Sequence, residues 1–405
     1  MRELCHLLGD PQHDQPTVHI TGTNGKGSVA RLVTALLSAH DLTVGTYTSP
    51  HLEVVNERIS RNGEPIGDDA LAAVLTELAA FEPLLSHAAS WWELLTAAAF
   101  RWFSSEAVQA AVVEVGLLGR FDSTNVVDGT VAVLTNVGFD HTDGQGDWRR
   151  RIAEEKSGIV KPGATFVLGE TDLALQDVFE ATPAETIWQR DRDFGCTANR
   201  LAVGGRLIDL RTPGATYDEV FLALHGPHQG DNAAVALAAA EAFFHRPLAP
   251  DVVAQAFASV RTPGRFEVVA RDPLVVLDGA HNPDGANAVA DALAEGFAVP
   301  GERWLVIGTL AGRDPAALLA ALRVGEASTV VCCTPASPRA LPAADLAREV
   351  ESFGVRAVVV PEVSEALGHA LDSAGADDAV LVVGSLYTVG AARSECRRRG
   401  MLPPG

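Results

Sequence analysis

Short apolar runs alternate with amphipathic stretches along most of this chain. Val18-His19-Ile20-Thr21 is a brief apolar run that enters a glycine-rich turn, Gly22-Thr23-Asn24-Gly25-Lys26-Gly27-Ser28. Behind the turn, Val29, Leu32, Val33, Leu36 and Leu37 recur at helical spacing and predict a helix. Residues 43–48 predict a second strand, which Ser49-Pro50-His51-Leu52 breaks. The polar segment up to Gly67 predicts a structured surface loop or short hairpin. Helical patterns follow around 68–81 and 91–104, and buried strands are predicted at 110–115 and 131–136. Residues 162–224 carry shorter strand signals, and Pro227 to Asn232 opens an Ala-rich helix at 233–244. Arg261-Thr262-Pro263-Gly264-Arg265 has linker chemistry. The pattern then restarts, with strands at 274–277, 305–307, 329–333, 357–360 and 379–383 and helices from about 285 and over 315–323.

Strands alternating with helices predict an α/β protein. The expected architecture is a P-loop-containing, doubly wound, mostly parallel sheet domain over 1–268, followed by a smaller Rossmann-like α/β domain over 269–405. Composition agrees with this: of 405 residues, 47% are apolar and 20% charged, enough to bury real cores. The apolar runs fall far short of the ~18 residues of a membrane span, and Met1 to His6 has no apolar signal core. A net charge of −21 argues against nucleic acid as a partner, because a phosphate backbone needs a basic surface. Five cysteines with no C-x-x-C pair are reduced, cytosolic usage, so a cytoplasmic protein is expected.

The glycine turn carries the first chemistry. A strand, a Gly-rich loop and a helix N-terminus together cradle phosphate through backbone N–H groups and the helix dipole. Lys26 can reach the β/γ-phosphates and the Ser28 hydroxyl can ligate Mg²⁺. The spacing departs from the usual G-x-x-x-x-G-K-[ST], because Gly27 separates Lys26 from Ser28. Glu114 closes one buried strand and Asp140-His141 follow the next, at the strand ends where such sheets bind ligands. A carboxylate and an imidazole there can hold metal on a phosphate, although a strand-end Glu is often only solvated. Lys156 sits on a predicted helix beyond this loop, where a plain surface lysine is the simpler reading.

Several segments occur in one order: Gly22 to Ser28, Tyr47-Thr48-Ser49-Pro50-His51-Leu52, Asn56-Glu57-Arg58-Ile59, Glu114-Val115-Gly116-Leu117, Asp140-His141, Glu155-Lys156-Ser157-Gly158-Ile159, Asp278-Gly279-Ala280-His281-Asn282-Pro283 and Gly384-Ser385-Leu386-Tyr387. Together they resemble the folylpolyglutamate synthase/dihydrofolate synthase family, a branch of the Mur ligase superfamily, over nearly the whole chain. The resemblance implies an ATP-dependent, ADP-forming ligase that phosphorylates a carboxylate and joins it to L-glutamate. It makes 1–268 the ATP-binding domain and 269–405 the glutamate-ligase domain.

The resemblance also implies roles. Lys26 contacts the transferred phosphate within the nucleotide loop Asn24, Gly25, Lys26, Gly27 and Ser28. Ser28, Ser49 and Glu114 ligate a first Mg²⁺, and His141 holds a second. Lys156 matches a lysine carbamylated by CO₂. Asn232 meets adenine, Arg265 and Asp278 close over ATP, and His281 lies beside them among the catalytic residues. The pterin or folate-like acceptor falls to Ser90, Trp92, Glu93, Asp122 and Ser123. Leu118 replaces a family glycine, Arg313 replaces a lysine, and only about one helix precedes the first strand where the family carries a longer helical preamble. Those departures leave open a Mur-type paralogue acting on a different carboxylate. A nucleotide-binding switch without catalysis is the alternative from another class. A monomer with small-molecule substrates is expected.

Overall fold

The computed structural model describes residues 1–139, 142 and 144–403. The chain divides into two compact units. The first comprises Met1–His51, Val55–Ala223 and His228–Arg261; the second comprises Leu52–Val54, Leu224–Pro227 and Thr262 onward. The expected boundary at 268 falls inside strand Glu267–Arg271, which pairs antiparallel with Leu274–Leu277. That pairing draws the linker residues before it into the second unit.

In the first unit an eight-stranded sheet runs, in spatial order, Glu64–Pro65, Ile59–Arg61, Val44–Tyr47, Ala110–Glu114, Thr17–Thr21, Gly129–Leu134, Thr165–Leu168 and Thr186–Gln189. The six from Val44–Tyr47 onward pair in parallel. The expected hairpin after the second strand is real: Ile59–Arg61 and Glu64–Pro65 pair antiparallel around Asn62-Gly63, both at positive φ. All five residues of Thr17–Thr21 are buried, because this strand lies mid-sheet between two parallel neighbours. The chain leaves this central strand to pair on one side and later returns on the other. The carboxyl end of Thr17–Thr21 is therefore a topological switch point, where open α/β sheets bind ligands.

Helix Lys26–Ser38 follows at once and buries Val29, Leu32, Val33, Leu36 and Leu37, the stripe read from the sequence. The Ala-rich helix spans His228–Phe244, starting five residues earlier than expected, and packs against Lys26–Ser38. Its alanines leave room for that approach, so almost its whole circumference is buried. The shorter strand signals of 162–224 resolve in part into an antiparallel sheet of Gly195–Ala202, Gly205–Arg211 and Thr216–Leu222.

The second unit is a six-stranded sheet ordered Glu267–Arg271, Leu274–Leu277, Ala379–Val383, Arg303–Ile307, Thr329–Cys332 and Arg356–Val359. Alternation puts its strands between two cores. Leu274 and Val276 join one cluster with Leu305 and Leu381, while Val275 and Leu277 join the other with Val306 and Val382. Helices on both faces make this the Rossmann-like arrangement expected. Among the described residues, no helix is long and apolar enough to cross a membrane.

Candidate active site

The glycine turn is shaped by contacts that only glycine permits. Gly22 has φ +150, and a Cβ there would sit 1.8 Å from Thr135 Oγ1. Gly25 has φ +83, and its Cβ would sit 2.5 Å from Asn232 Oδ1. The loop is also tied to the end of the neighbouring strand. Thr135 Oγ1 donates to Asn24 O at 2.6 Å, and Asn24 N donates to Asn136 Oδ1 at 2.9 Å. Thr23 N donates to Asn136 O at 3.0 Å, and Gly138 N donates to Thr23 Oγ1 at 3.0 Å. Lys26 Nζ folds back onto Gly22 O at 2.9 Å and Thr23 O at 3.2 Å. Lys26 opens the helix, so its ammonium lies over a loop whose N–H groups and dipole already favour an anion.

Two further strand ends and the loop helix bring oxygen atoms toward this place. Glu114 ends strand Ala110–Glu114 and is 4% exposed. A Cβ on Gly27 would lie 3.7 Å from one of its carboxylate oxygens, so the carboxylate faces the loop. Ser49 N donates to Glu114 Oε2 at 3.0 Å. A Cβ on Gly116 would stand 3.5 Å from Ser49 Oγ and 3.3 Å from Asp122 Oδ2. Ser28 is buried at the start of the loop helix. Ser28, Ser49 and Glu114 offer two hydroxyls and a carboxylate, oxygen donors of the kind that suits a hard divalent cation. His141, expected to hold a second ion, lies outside the described residues.

Lys156 is buried near the end of helix Trp148–Ser157. The backbone of that turn abuts the loop after Glu114: a Cβ on Gly119 would meet Glu155 O and Lys156 O at 2.9 Å each. A surface lysine is thereby ruled out.

The acceptor candidates fall into two kinds. Ser90 and Glu93 cap helix Trp91–Ser105 as a reciprocal capping box, with Ser90 N donating to Glu93 Oε2 at 2.9 Å and Glu93 N to Ser90 Oγ at 3.3 Å. Burial would raise the Glu93 carboxyl, but hydrogen bonds from the terminal ammonium and Ser90 overcome it and hold it down at about 2. Trp92 is different. It and Trp91 are about half exposed, set edge to face at 4.9 Å, so neither is spent on core packing. Asp122 Oδ1 accepts from Thr124 N and Thr124 Oγ1, and Oδ2 accepts from Leu117 N at 2.9 Å. Ser123 Oγ meets Thr96 Oγ1 at 2.8 Å, which in turn reaches Tyr47 OH at 3.2 Å. Leu118, at the position of a family glycine, adopts φ +55, and its carbonyl accepts from Thr21 Oγ1 at 2.5 Å. The backbone bend that glycine would make is kept.

In the second unit Asp278 is 8% exposed and its carboxylate takes two backbone N–H groups, from Phe266 and Ala280, each at 2.7 Å. Burial pushes its pKa up, against the pull of Arg265 and those two donors. A Cβ on Gly279 would touch Arg265 Nη1 at 2.6 Å. His281 Nδ1 lies 2.9 Å from Gly279 O, and Arg313 Nη1 donates to His281 O at 2.6 Å. Arg265 thus lies against the turn that carries Asp278 and His281, and Arg313 joins them despite replacing a lysine.

Two residues were given no role from the sequence. Asn136 pins the phosphate loop, and its signal was available as a polar residue ending a buried strand. Arg58 is 3% exposed, with its guanidinium 4.8 and 4.9 Å from the Trp91 and Trp92 ring centres. Its Nε donates to His51 Nδ1 at 2.9 Å. No spacing rule joins Arg58 to a tryptophan pair more than thirty residues away.

A nucleotide loop at the switch point of one sheet, followed by a second Rossmann-like unit, is the layout of the Mur ligases. Residues 20–240 match the Mur ligase middle domain, and residues 264–386 match the Mur ligase, glutamate ligase domain. The dihydrofolate synthase/folylpolyglutamate synthase of Mycobacterium tuberculosis is 39% identical, over 96% of this chain and 88% of its own. The structure of Mycobacterium tuberculosis folylpolyglutamate synthase complexed with ADP superposes with a TM-score of 0.92 at 38% identity, covering 97% of this chain and 93% of that one. That of the bifunctional folylpolyglutamate synthase/dihydrofolate synthase from Yersinia pestis, complexed with AMPPNP and Mn ion, gives 0.86 at 28% identity, covering 98% and 92%. The chain belongs to the dihydrofolate synthase/folylpolyglutamate synthase family.

Proposed function

We propose that this protein is an ATP-dependent amide ligase that adds L-glutamate to a pterin-bearing carboxylate, with dihydropteroate and/or reduced folates as acceptors. One observation carries the reading. Glu114, Ser49 and Ser28 bring oxygen ligands to a loop whose glycines, lysine and helix dipole are arranged for phosphate.

A carboxylate is a poor electrophile, so the acceptor carboxylate first attacks the γ-phosphorus and ADP leaves. The amino group of glutamate then attacks the acyl carbon, and phosphate departs as the amide forms. Lys26 stabilises the charge that moves during phosphoryl transfer. Ser28, Ser49 and Glu114 would hold Mg²⁺, which neutralises phosphate oxygens; His141 is assigned to a second ion. Asn232, seated against Gly25, serves the nucleotide at the loop. Arg265, Asp278 and His281 serve it from the second unit. Carbamylation of Lys156 would turn a buried cation into an anion able to face metal. Trp92 offers its exposed ring to a pterin, and Asp122 and Ser123 offer polar contacts. Ser90 and Glu93 act on the acceptor by fixing the helix that carries Trp92.

Phosphate release from MgATP and L-glutamate, with dihydropteroate and tetrahydrofolate supplied separately, tests the reading when products are weighed by mass spectrometry. A gain of one glutamyl unit on either acceptor is expected. Release that ignores the acceptor, or no product on both, would replace this reading with an ATPase or a ligase for another carboxylate.

A further inference from the structure

Strand Thr17–Thr21 ends in the phosphate loop, yet two of its side chains reach elsewhere. His19 and Thr21 are two residues apart and so point to the same face. Both grip the segment from Leu117 to Thr124. Thr21 Oγ1 donates to Leu118 O, and His19 Nε2 lies 2.9 Å from Thr124 Oγ1. Thr124 Oγ1 in turn donates to Asp122 Oδ1 at 2.6 Å. His19 is 0% exposed and Thr124 1%.

The protons on this chain of contacts are determined. Thr124 has one hydroxyl hydrogen, and Asp122 as a carboxylate only accepts. That hydrogen is spent on Asp122, so His19 must donate through Nε2–H. Its Nδ1 is then a bare lone pair, which fits its burial with no hydrogen-bond partner among the described residues. A proton there would be an unpaired buried donor, the costlier arrangement. Burial, reinforced by the nearby Lys161 cation, disfavours the imidazolium. The imidazole is a fixed neutral donor aimed at one hydroxyl.

We infer that His19 is a positioning residue for the acceptor, fixing the Asp122 carboxylate through Thr124 from the strand that carries the phosphate loop. The inference rests on the reading above that Asp122 meets the acceptor. Asp122 Oδ1 has its orientation set by Thr124, while Oδ2 takes Leu117 N. Without the His19 bond, the Thr124 hydroxyl loses the partner that fixes its rotamer. Asp122 then loses a donor of fixed direction. The bond joins β-strand to loop, so the acceptor carboxylate and the γ-phosphate are referred to the same rigid element.

Steady-state kinetics with each substrate varied in turn decide the matter. His19→Leu is expected to raise the acceptor KM about tenfold, while the KM for ATP moves less than twofold; tenfold corresponds to about 1.4 kcal/mol, one lost buried hydrogen bond. His19→Gln, whose amide can replace the Nε2–H donor, is expected to recover most of that loss. A merely structural role would move both KM values together and give no recovery. Thr124→Val should reproduce the His19→Leu effect without adding to it in the double variant. If His19→Leu does not fold, the pair Thr124→Val and Thr124→Ser decides, with only the valine variant affected. Asp122→Asn separates the two levels. An unchanged acceptor KM in that variant overturns the assignment of Asp122. A raised value there, with His19→Leu and Thr124→Val unchanged, overturns the role of His19 alone.

Discussion

The two units place a polar turn at the carboxyl end of a buried parallel strand, and they finish it in opposite ways. In the first, strand Thr17–Thr21 runs into glycines whose backbone is held from outside, by Thr135, Asn136 and Asn232. Thr23 N and Asn24 N donate to Asn136, so groups from outside the turn fix its shape. In the second, strand Leu274–Leu277 runs into Asp278, whose own carboxylate takes the N–H groups of Phe266 and Ala280. That turn supplies its own anion. The same fold element is therefore braced by neighbouring elements in one unit and by its own carboxylate in the other. Sheet topology locates a site, and the residue after the strand decides what the site can hold.

The largest effect is expected at Lys156 in the first unit. Lys156→Ala is expected to lower ligation on the order of a thousandfold while ADP affinity stays within a few fold, read by calorimetry beside a turnover assay. Full activity in that variant would remove Lys156 from the mechanism. Gly22→Ala probes the turn proposed to bind phosphate. Its new Cβ would overlap Thr135 Oγ1, so nucleotide affinity should fall about a hundredfold or more, with a stability loss of about 3 kcal/mol. Retained affinity would mean that the loop is not held as described.

Asp278→Asn tests the opposite corner. Asparagine has one acceptor oxygen for two buried N–H groups, so about 2 kcal/mol of stability should be lost in denaturant melts. A neutral result would show that the corner is not self-satisfied. The pH dependence of His19 follows from its pKa, pushed by burial and Lys161 from 6.5 down to about 3. The folded chain resists a proton that the unfolded chain accepts. The stabilising contribution is therefore complete above pH 6.5 and is lost as pH falls toward 3, by up to about 1.4 kcal/mol per unit. His19→Gln should flatten that acid limb, and parallel limbs would mean that the imidazole protonates without unfolding. Smallest is Ser90→Ala, expected to cost about 1 kcal/mol through the lost cap. An acceptor KM raised more than the cap loss explains would return Ser90 to direct substrate contact.

Much of this was readable beforehand because it is periodic or local. The stripe Val29, Leu32, Val33, Leu36 and Leu37 fixes its helix by spacing alone, and strand 274–277 was read to the residue. Glu114 was legible as a carboxylate ending a buried strand, and it is buried there beside the glycine turn. The boundary near 268 was misplaced because antiparallel pairing of Glu267–Arg271 is a long-range event that linker composition does not report. Ser90 and Glu93 look alike as cap and as ligand, for both need the same oxygens. Arg58 over two tryptophans and His19 on Thr124 depend on partners 33 to 105 residues away. No local rule finds those.

Glu53 has a consequence for how this molecule can be divided. It accepts from Arg393, Arg397 and Ser394, and the short segment Leu52–Val54 that carries it belongs with them to the second unit, although the chain up to His51 and from Val55 to Ala223 does not. The polypeptide passes between units at 51/52, 54/55, 223/224, 227/228 and 261/262. A fragment cut at the linker would part Glu53 from Arg393, Arg397 and Ser394, leaving Glu267 with Arg393, and the aromatic pairing of His225 with Phe266 and Phe297 would go too. Neither half is a self-contained module for shuffling or separate expression. The two were sewn into one inheritance.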